Sequence, residues 1–233
     1  MMLCETTLLF RDDSYLKEFD AQVVSLDGNL IYLDKTAFYY QGGGQPFDKG
    51  KIAGHDVVSV IKTEQGISHE LSGHGLSVGA TVHGIIDWKR RYLLMRAHSA
   101  AHVLSSVIFK RTGALVTGKQ LGLDESHIDF QLETFDKSQL SAFVDGANQL
   151  VKNGATVSCY VLPRAQAFAI PDVVRLAGKM PPEVAEIRIV DIKNVDIQAC
   201  GGTHVKDIKE IGTITITRLE NKGKGRKRIY YTV

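Results

Sequence analysis

Apolar positions change their spacing near residue 87. Before it they fall in short stretches, Ala21 to Leu26, Leu30 to Leu33, His55 to Ile61 and Thr81 to Ile86, split by turn signals. No 3.6-residue repeat runs through them, and Asp27-Gly28-Asn29 reads as a hairpin turn between the first two. A small barrel or sandwich is expected here. From Asp87 onward the pattern turns helical. Trp88 to about Arg111 is expected as a helix, with Asp87 as N-cap, Gly113 as stop, and Leu93, Ala97, Ala101, Leu104 and Ile108 as its apolar stripe. A second helix is expected from about Lys137 to Lys152, burying Leu140, Phe143, Val144, Ala147 and Val151 and ending at Gly154. Alternating residues mark strands at Ile128, Phe130 and Leu132, at Val157, Cys159 and Val161, at Thr213 to Thr217, and at Ile229, Tyr231 and Val233. Long helices beside such strands make the class α+β, with domains 1–87 and 88–233.

Composition narrows the picture little. With 233 residues, 44% apolar and 23% charged, a core of useful size can be buried without disulfides or metal staples. No run of about 18 apolar residues exists, so no transmembrane helix is expected, and Glu5 interrupts the segment where a secretory signal would be apolar. Cys4, Cys159 and Cys200 are too few and too odd in number for a disulfide framework, which suits a reducing cytoplasm. The net charge of +2 argues neither for nor against nucleic acid.

Candidate chemistry is concentrated in the second domain. His98-Ser-Ala-Ala-His102 places two imidazoles on one helix face, about 6 Å apart along the axis, where both can reach one metal ion. Roughly a hundred residues later, Cys200-Gly-Gly-Thr-His204 offers a sulfur and a third imidazole, with two glycines expected to permit a tight turn. Three histidines and a cysteine suit zinc better than magnesium or calcium. The bland alternative is packed histidines and a structural cysteine. A zincin protease is excluded because Ser99 stands where its glutamate would be, and a zinc finger because the two pairs lie so far apart.

Two further segments stand out. In Thr36-Ala-Phe-Tyr-Tyr-Gln41-Gly42-Gly43-Gly44-Gln45-Pro46, three glycines can bring backbone amides close to a ligand, or simply form a hairpin turn. No Gly-Lys-Ser/Thr follows, so no nucleotide cofactor is expected. Arg218, Lys222, Lys224, Arg226, Lys227 and Arg228 crowd a stretch opposed mainly by Glu220, and Arg90, Arg91 and Arg96 sit on the helix that carries His98. Such charge could follow a phosphate backbone or form a solvated hairpin.

In order, Phe38-Tyr39 with Gly42-Gly43-Gly44-Gln45-Pro46, His98-x-x-x-His102, Cys200-Gly-Gly-Thr-His204 and the basic Gly-Lys-Gly-Arg segment resemble the alanyl-tRNA editing family. That family comprises the editing domain of alanyl-tRNA synthetase and the free-standing AlaX proteins. The resemblance implies a small β-barrel followed by the two-layer α+β editing domain shared with threonyl-tRNA synthetase. It implies Zn2+ on His98, His102, Cys200 and His204, action in trans, since no aminoacylation module is visible, and the medium-length type, since the glycine-rich N-terminal domain is present. The substrate would be alanine tRNA charged with serine, or also glycine. Thr36 and Gly42, Gly43, Gly44 and Gln45 would lie near the aminoacyl group, with Thr36 as the partner of the serine hydroxyl. Arg90, Arg91, Arg96, Lys222, Lys224, Arg226, Lys227 and Arg228 would meet tRNA. Four protein ligands usually close a zinc site, so either a fifth ligand or one weakly bound residue is expected during turnover. Zinc would then activate water or only hold the substrate. Rival readings are a zinc-containing RNA-binding module without hydrolysis and a zinc hydrolase of small esters or amides.

Overall fold

In the computed structural model, residues 6–133, 137–177, 183–223 and 225–233 are described. Cys4 and Lys224 lie outside them. The chain divides into two compact units, Met1–Tyr92 and Leu93–Val233.

The first unit contains β1 (Thr7–Leu8), β2 (Glu18–Asp27), β3 (Leu30–Leu33), β4 (Lys35–Thr36), β5 (Gly50–Ile52), β6 (His55–Thr63), β7 (Gly66–Leu71) and β8 (Thr81–Ile86). Six of them close into a ring ordered β2-β3-β7-β6-β5-β8, while β1 pairs in parallel with β4. Asp27 faces Leu30 across the β2–β3 hairpin, and Gly28 at the turn takes φ +57, open to glycine at little cost. Inward residues alternate along the strands: Phe19, Ala21 and Val23 on β2, Val82 and Ile86 on β8. Gly84 sits between the last two because a Cβ there would stand 2.4 Å from the Phe19 ring. The sequence pattern anticipates β2, β3, β6 and β8. It misses β7, Gly-Ile-Ser-His-Glu-Leu, whose buried positions include the polar Ser68 and His69.

His69 is fully buried, with Nε2 2.8 Å from Thr36 Oγ1 and its ring edge-on to Phe38. Burial pushes it down to about 4, against a weaker opposing bond at Ile31. Between pH 6.5 and about 4 the unfolded chain therefore holds a proton that the folded barrel refuses. Its contribution is complete above pH 6.5 and is lost as pH falls, by about 3 kcal/mol in all. Urea melts at pH 7 and pH 4.5 should show the wild type losing more stability than His69→Gln; equal losses would contradict a neutral buried imidazole.

The second unit holds most of α1 (Trp88–Thr112), then β9 (Val116–Gln120), β10 (Ser126–Gln131), α2 (Lys137–Asn153), β11 (Val157–Pro163), α3 (Arg164–Phe168), β12 (Glu186–Ile192), β13 (Asp196–Ala199), β14 (Thr215–Asn221) and β15 (Arg226–Thr232). Four strands form an antiparallel sheet ordered β14-β15-β10-β9, and three form another ordered β11-β12-β13. The caps act as expected: Asp87 Oδ1 accepts the Arg90 amide, and Gly113 and Gly154 end their helices at positive φ. The apolar stripe on α1 understates its burial, because residues 97–108 are buried all round. Small residues permit this: Ala97, Ser99, Ala100, Ala101, Ser105 and Ser106 let neighbouring chain approach on every side. On α2, Leu140, Phe143, Ala147 and Val151 are buried, and Val144 is half-buried. Ile128, Phe130, Ile229 and Tyr231 are fully buried, and the Tyr231 hydroxyl donates to Ala97 O, fastening the sheet to α1. No described helix is long and apolar enough to cross a membrane.

Candidate metal centre

α1 delivers His98 and His102 from consecutive turns, and the segment leaving β13 delivers Cys200 and His204. One ligand atom from each lies within 4.8 Å of the others. Cys200 Sγ is 3.6 Å from His98 Nε2 and 3.4 Å from His204 Nε2. The three imidazoles are nearly inaccessible, and Cys200 is half-buried. Two segments a hundred residues apart thus converge. Gly201 and Gly202, expected to supply a tight turn, have no positive φ, and a Cβ on Gly201 would meet nothing within 4 Å. The bend is held instead by Arg188, whose Nη1 donates to both Cys200 O and Gly202 O at 2.9 Å.

A second layer orients the rings. Asp196 Oδ2 lies 2.9 Å from His102 Nδ1, and Asp196 also accepts from Arg175 Nη1 at 2.6 Å and Gln198 Nε2 at 2.8 Å. Ser99 Oγ lies 3.1 Å from His204 Nδ1 and accepts the Val205 amide. Such contacts leave each ring's other nitrogen directed inward, as a metal-binding imidazole requires. Lys119 of β9 brings its ammonium 2.5 Å from His98 Nε2.

The electrostatics suit a metal. Burial alone would raise the Cys200 thiol, but His98, Lys119 and hydrogen bonds from His102 and His204 hold it well below the usual range, as thiolate. Burial and then Lys119 push His98 well down, and burial pushes His204 to about 4. Both are neutral donors at pH 7. His102 goes up: burial opposes its charge, but Asp196 and Cys200 outweigh it. A thiolate with neutral imidazoles is the donor set that a borderline-soft divalent ion takes. Asp196→Asn should weaken metal binding about 10- to 100-fold, read by competition with a chromogenic chelator. An unchanged affinity would deny the carboxylate its orienting role.

The other sequence-selected residues each have their own partners. Thr36 is fully buried, accepting the Phe38 amide at 3.1 Å and meeting His69 at 2.8 Å. Gly42 and Gln45 exchange both backbone hydrogen bonds around Gly43 (φ +59) and Gly44 (φ +82), a two-residue turn of the type that only glycine-like conformations form. The Gly42 and Gln45 amides are therefore occupied within the turn. Arg91 is a correction. It is fully buried, its guanidinium bonded to Asp48, Ala37 O and Ser14 O, so it cannot meet a nucleic acid. Arg90 donates to Phe47 O, and Arg96 to Ile211 O. In the basic segment, Lys222 pairs with Glu220, Lys227 with Asn221, and Arg228 with Asp129 at 2.6 and 2.8 Å, while Arg226 is exposed. Arg218 pairs with Glu125. Asp129 and Glu125 offset charge that the local sequence leaves opposed mainly by Glu220.

Asp196, Arg175, Arg188 and Lys119 escape sequence reasoning. Asp196 alone carried a signal: with Gln198 it shares one face of β13, four residues before Cys200.

Residues 187–230 match the family model of the threonyl and alanyl tRNA synthetase second additional domain, and residues 4–90 that of class II (A) tRNA synthetases. An alanyl-tRNA editing protein AlaX-M of Saccharolobus solfataricus is 43% identical over 98% of this chain and 99% of its own. That of Methanosarcina barkeri is 43% identical with the same coverage. An alanine–tRNA ligase of Pyrobaculum neutrophilum is 36% identical over 99% of this chain and 27% of the ligase.

Proposed function

Because the chain belongs to the alanyl-tRNA editing family AlaX-M, we propose that it hydrolyses, in trans and in the cytoplasm, the ester joining serine or glycine to alanine tRNA. The observation that carries this reading is the convergence of His98, His102, Cys200 and His204 within 4.8 Å. Their three nitrogens and one sulfur favour zinc over harder ions. When bound, zinc supplies Lewis acidity toward the ester carbonyl. The chain's own residues hold the ring together: Asp196 aims His102, Ser99 aims His204, and Arg188 sets the bend that presents Cys200.

Serine differs from alanine by one hydroxyl, and a site that hydrogen-bonds this group discriminates strongly against its absence. We assign that role to Thr36. Its oxygen has three hydrogen-bonding valences, and Phe38 N–H and His69 use two. The remaining one would meet the substrate hydroxyl once the arriving aminoacyl group uncovers this buried side chain, with Gly42, Gly43, Gly44 and Gln45 alongside. Thr36→Val should shrink the serine-over-alanine ratio of kcat/KM by about tenfold or more; an unaltered ratio removes Thr36 from this role. Arg90, Arg96, Lys222, Lys224, Arg226, Lys227 and Arg228 remain the assigned tRNA contacts. Arg226 leads among the described ones, since Lys222 and Arg228 must exchange an existing carboxylate for phosphate.

Four protein donors also favour one other reading, a closed structural zinc centre in an RNA-binding module. Serine-charged alanine tRNA incubated with the zinc-loaded protein decides between them. Many equivalents of serine released per protein support the hydrolase; stoichiometric binding without release supports the module and overturns the proposal.

A further inference from the structure

Lys119 is out of place beside a metal site. It sits on β9 opposite Ile128 of β10, on the buried side of the sheet, and its ammonium reaches His98 Nε2 at 2.5 Å. An ammonium has three donors and no lone pair, so it cannot itself be a ligand. A divalent ion with the Cys200 thiolate leaves one net positive charge, and Lys119 makes two. Asp196 does not balance them, because Arg175 already pairs with it. The three imidazoles are at most 3% exposed, so water screens this excess poorly. A pocket built this way is complementary to an arriving anion.

Ester hydrolysis creates one. Water adds to the carbonyl carbon, and the carbonyl π pair moves onto its oxygen. The C–O bond to the ribose then breaks. One water proton passes to the departing ribose oxygen, and the other is lost to solvent as the amino-acid carboxyl ionises. We infer that Lys119 is a catalytic residue whose ammonium hydrogen-bonds the ester carbonyl oxygen as negative charge builds there. The inference rests on the deacylase reading above.

The alternative is a lysine that does no more than help hold the Cys200 thiolate. Such a lysine would cost activity only as far as its loss empties the metal site. If Lys119 serves the oxyanion, Lys119→Met with its zinc site filled should still lose about 100-fold in kcat on serine-charged alanine tRNA, with KM little changed. Lys119→Arg, which keeps the charge, should recover to within about tenfold of wild type. Zinc occupancy is measured by chelator competition and kcat by single turnover, on the full zinc-loaded chain. A kcat for zinc-filled Lys119→Met equal to that of wild type overturns the inference, while an active wild type leaves the deacylase reading standing. An inactive wild type removes both. Should Lys119→Met fail to fold, Lys119→Gln carries the same two measurements.

Discussion

Replacing His102 with alanine should strip the protein of its metal at equilibrium and abolish deacylation with it. His102 is the ring with the best-built support, held by Asp196, which Arg175 and Gln198 hold in turn. If four ligands share about 10–16 kcal/mol of zinc binding, the loss of one costs about 3 kcal/mol, or on the order of 100-fold in affinity. The carboxylate left behind keeps two partners, so the fold should survive. Elemental analysis after dialysis against a weak chelator measures the effect, with a melting curve as control. Acid should act alike on the wild type, because protons compete for the imidazole nitrogens and the sulfur. Metal content should therefore fall between pH 7 and about 4.5. A His102→Ala protein that retains a full equivalent of zinc would show that the four residues do not form one site.

The second large effect belongs to the barrel unit and to stability. Asp48→Ala should cost about 3–5 kcal/mol, because it leaves the Arg91 guanidinium buried and unpaired. Both side chains are completely inaccessible. Asp48 also accepts the Tyr39 amide at 2.6 Å and donates its own amide to Tyr39 O, so the pair fastens both ends of the glycine-rich turn. Replacing both partners, Asp48→Leu with Arg91→Met, should recover part of the loss, since no charge is then stranded. Urea denaturation of the two variants tests this. A single variant within about 1 kcal/mol of wild type would mean that the ion pair holds little. The same burial explains why sequence alone marks Arg91 as a tRNA contact and the structure does not. Its neighbours Arg90 and Arg96 share its helix and its charge, and only the partner 43 residues away separates a buried clamp from a surface cation.

Features that depend on short-range contacts are legible in the residue order. Four-residue spacing puts His98 and His102 on one face because a helix turns every 3.6 residues, whatever surrounds it. Asp87, Gly113 and Gly154 mark helix ends because caps satisfy local backbone groups. Short apolar stretches split by turn signals mark β2, β3, β6 and β8, since a strand that packs in a core needs only a few apolar residues in a row. The four candidate metal donors are legible because metal chemistry restricts which residue types can serve.

Which distant groups meet is fixed by the packing of the whole fold. β7 was hidden because it is buried on both faces and two of its buried positions are Ser68 and His69, whose polarity is acceptable only where Thr36 and the neighbouring strands supply partners. Asp196, Arg188 and Lys119 acquire roles only when β13, β12 and β9 arrive beside α1 and the Cys200 segment. The basic stretch near the end reads as free charge until Asp129 and Glu125, about a hundred residues earlier, are found against it. In each case the governing energy is a charge or hydrogen-bond partner remote in sequence. Coulomb forces and desolvation act through space, so no local pattern records them.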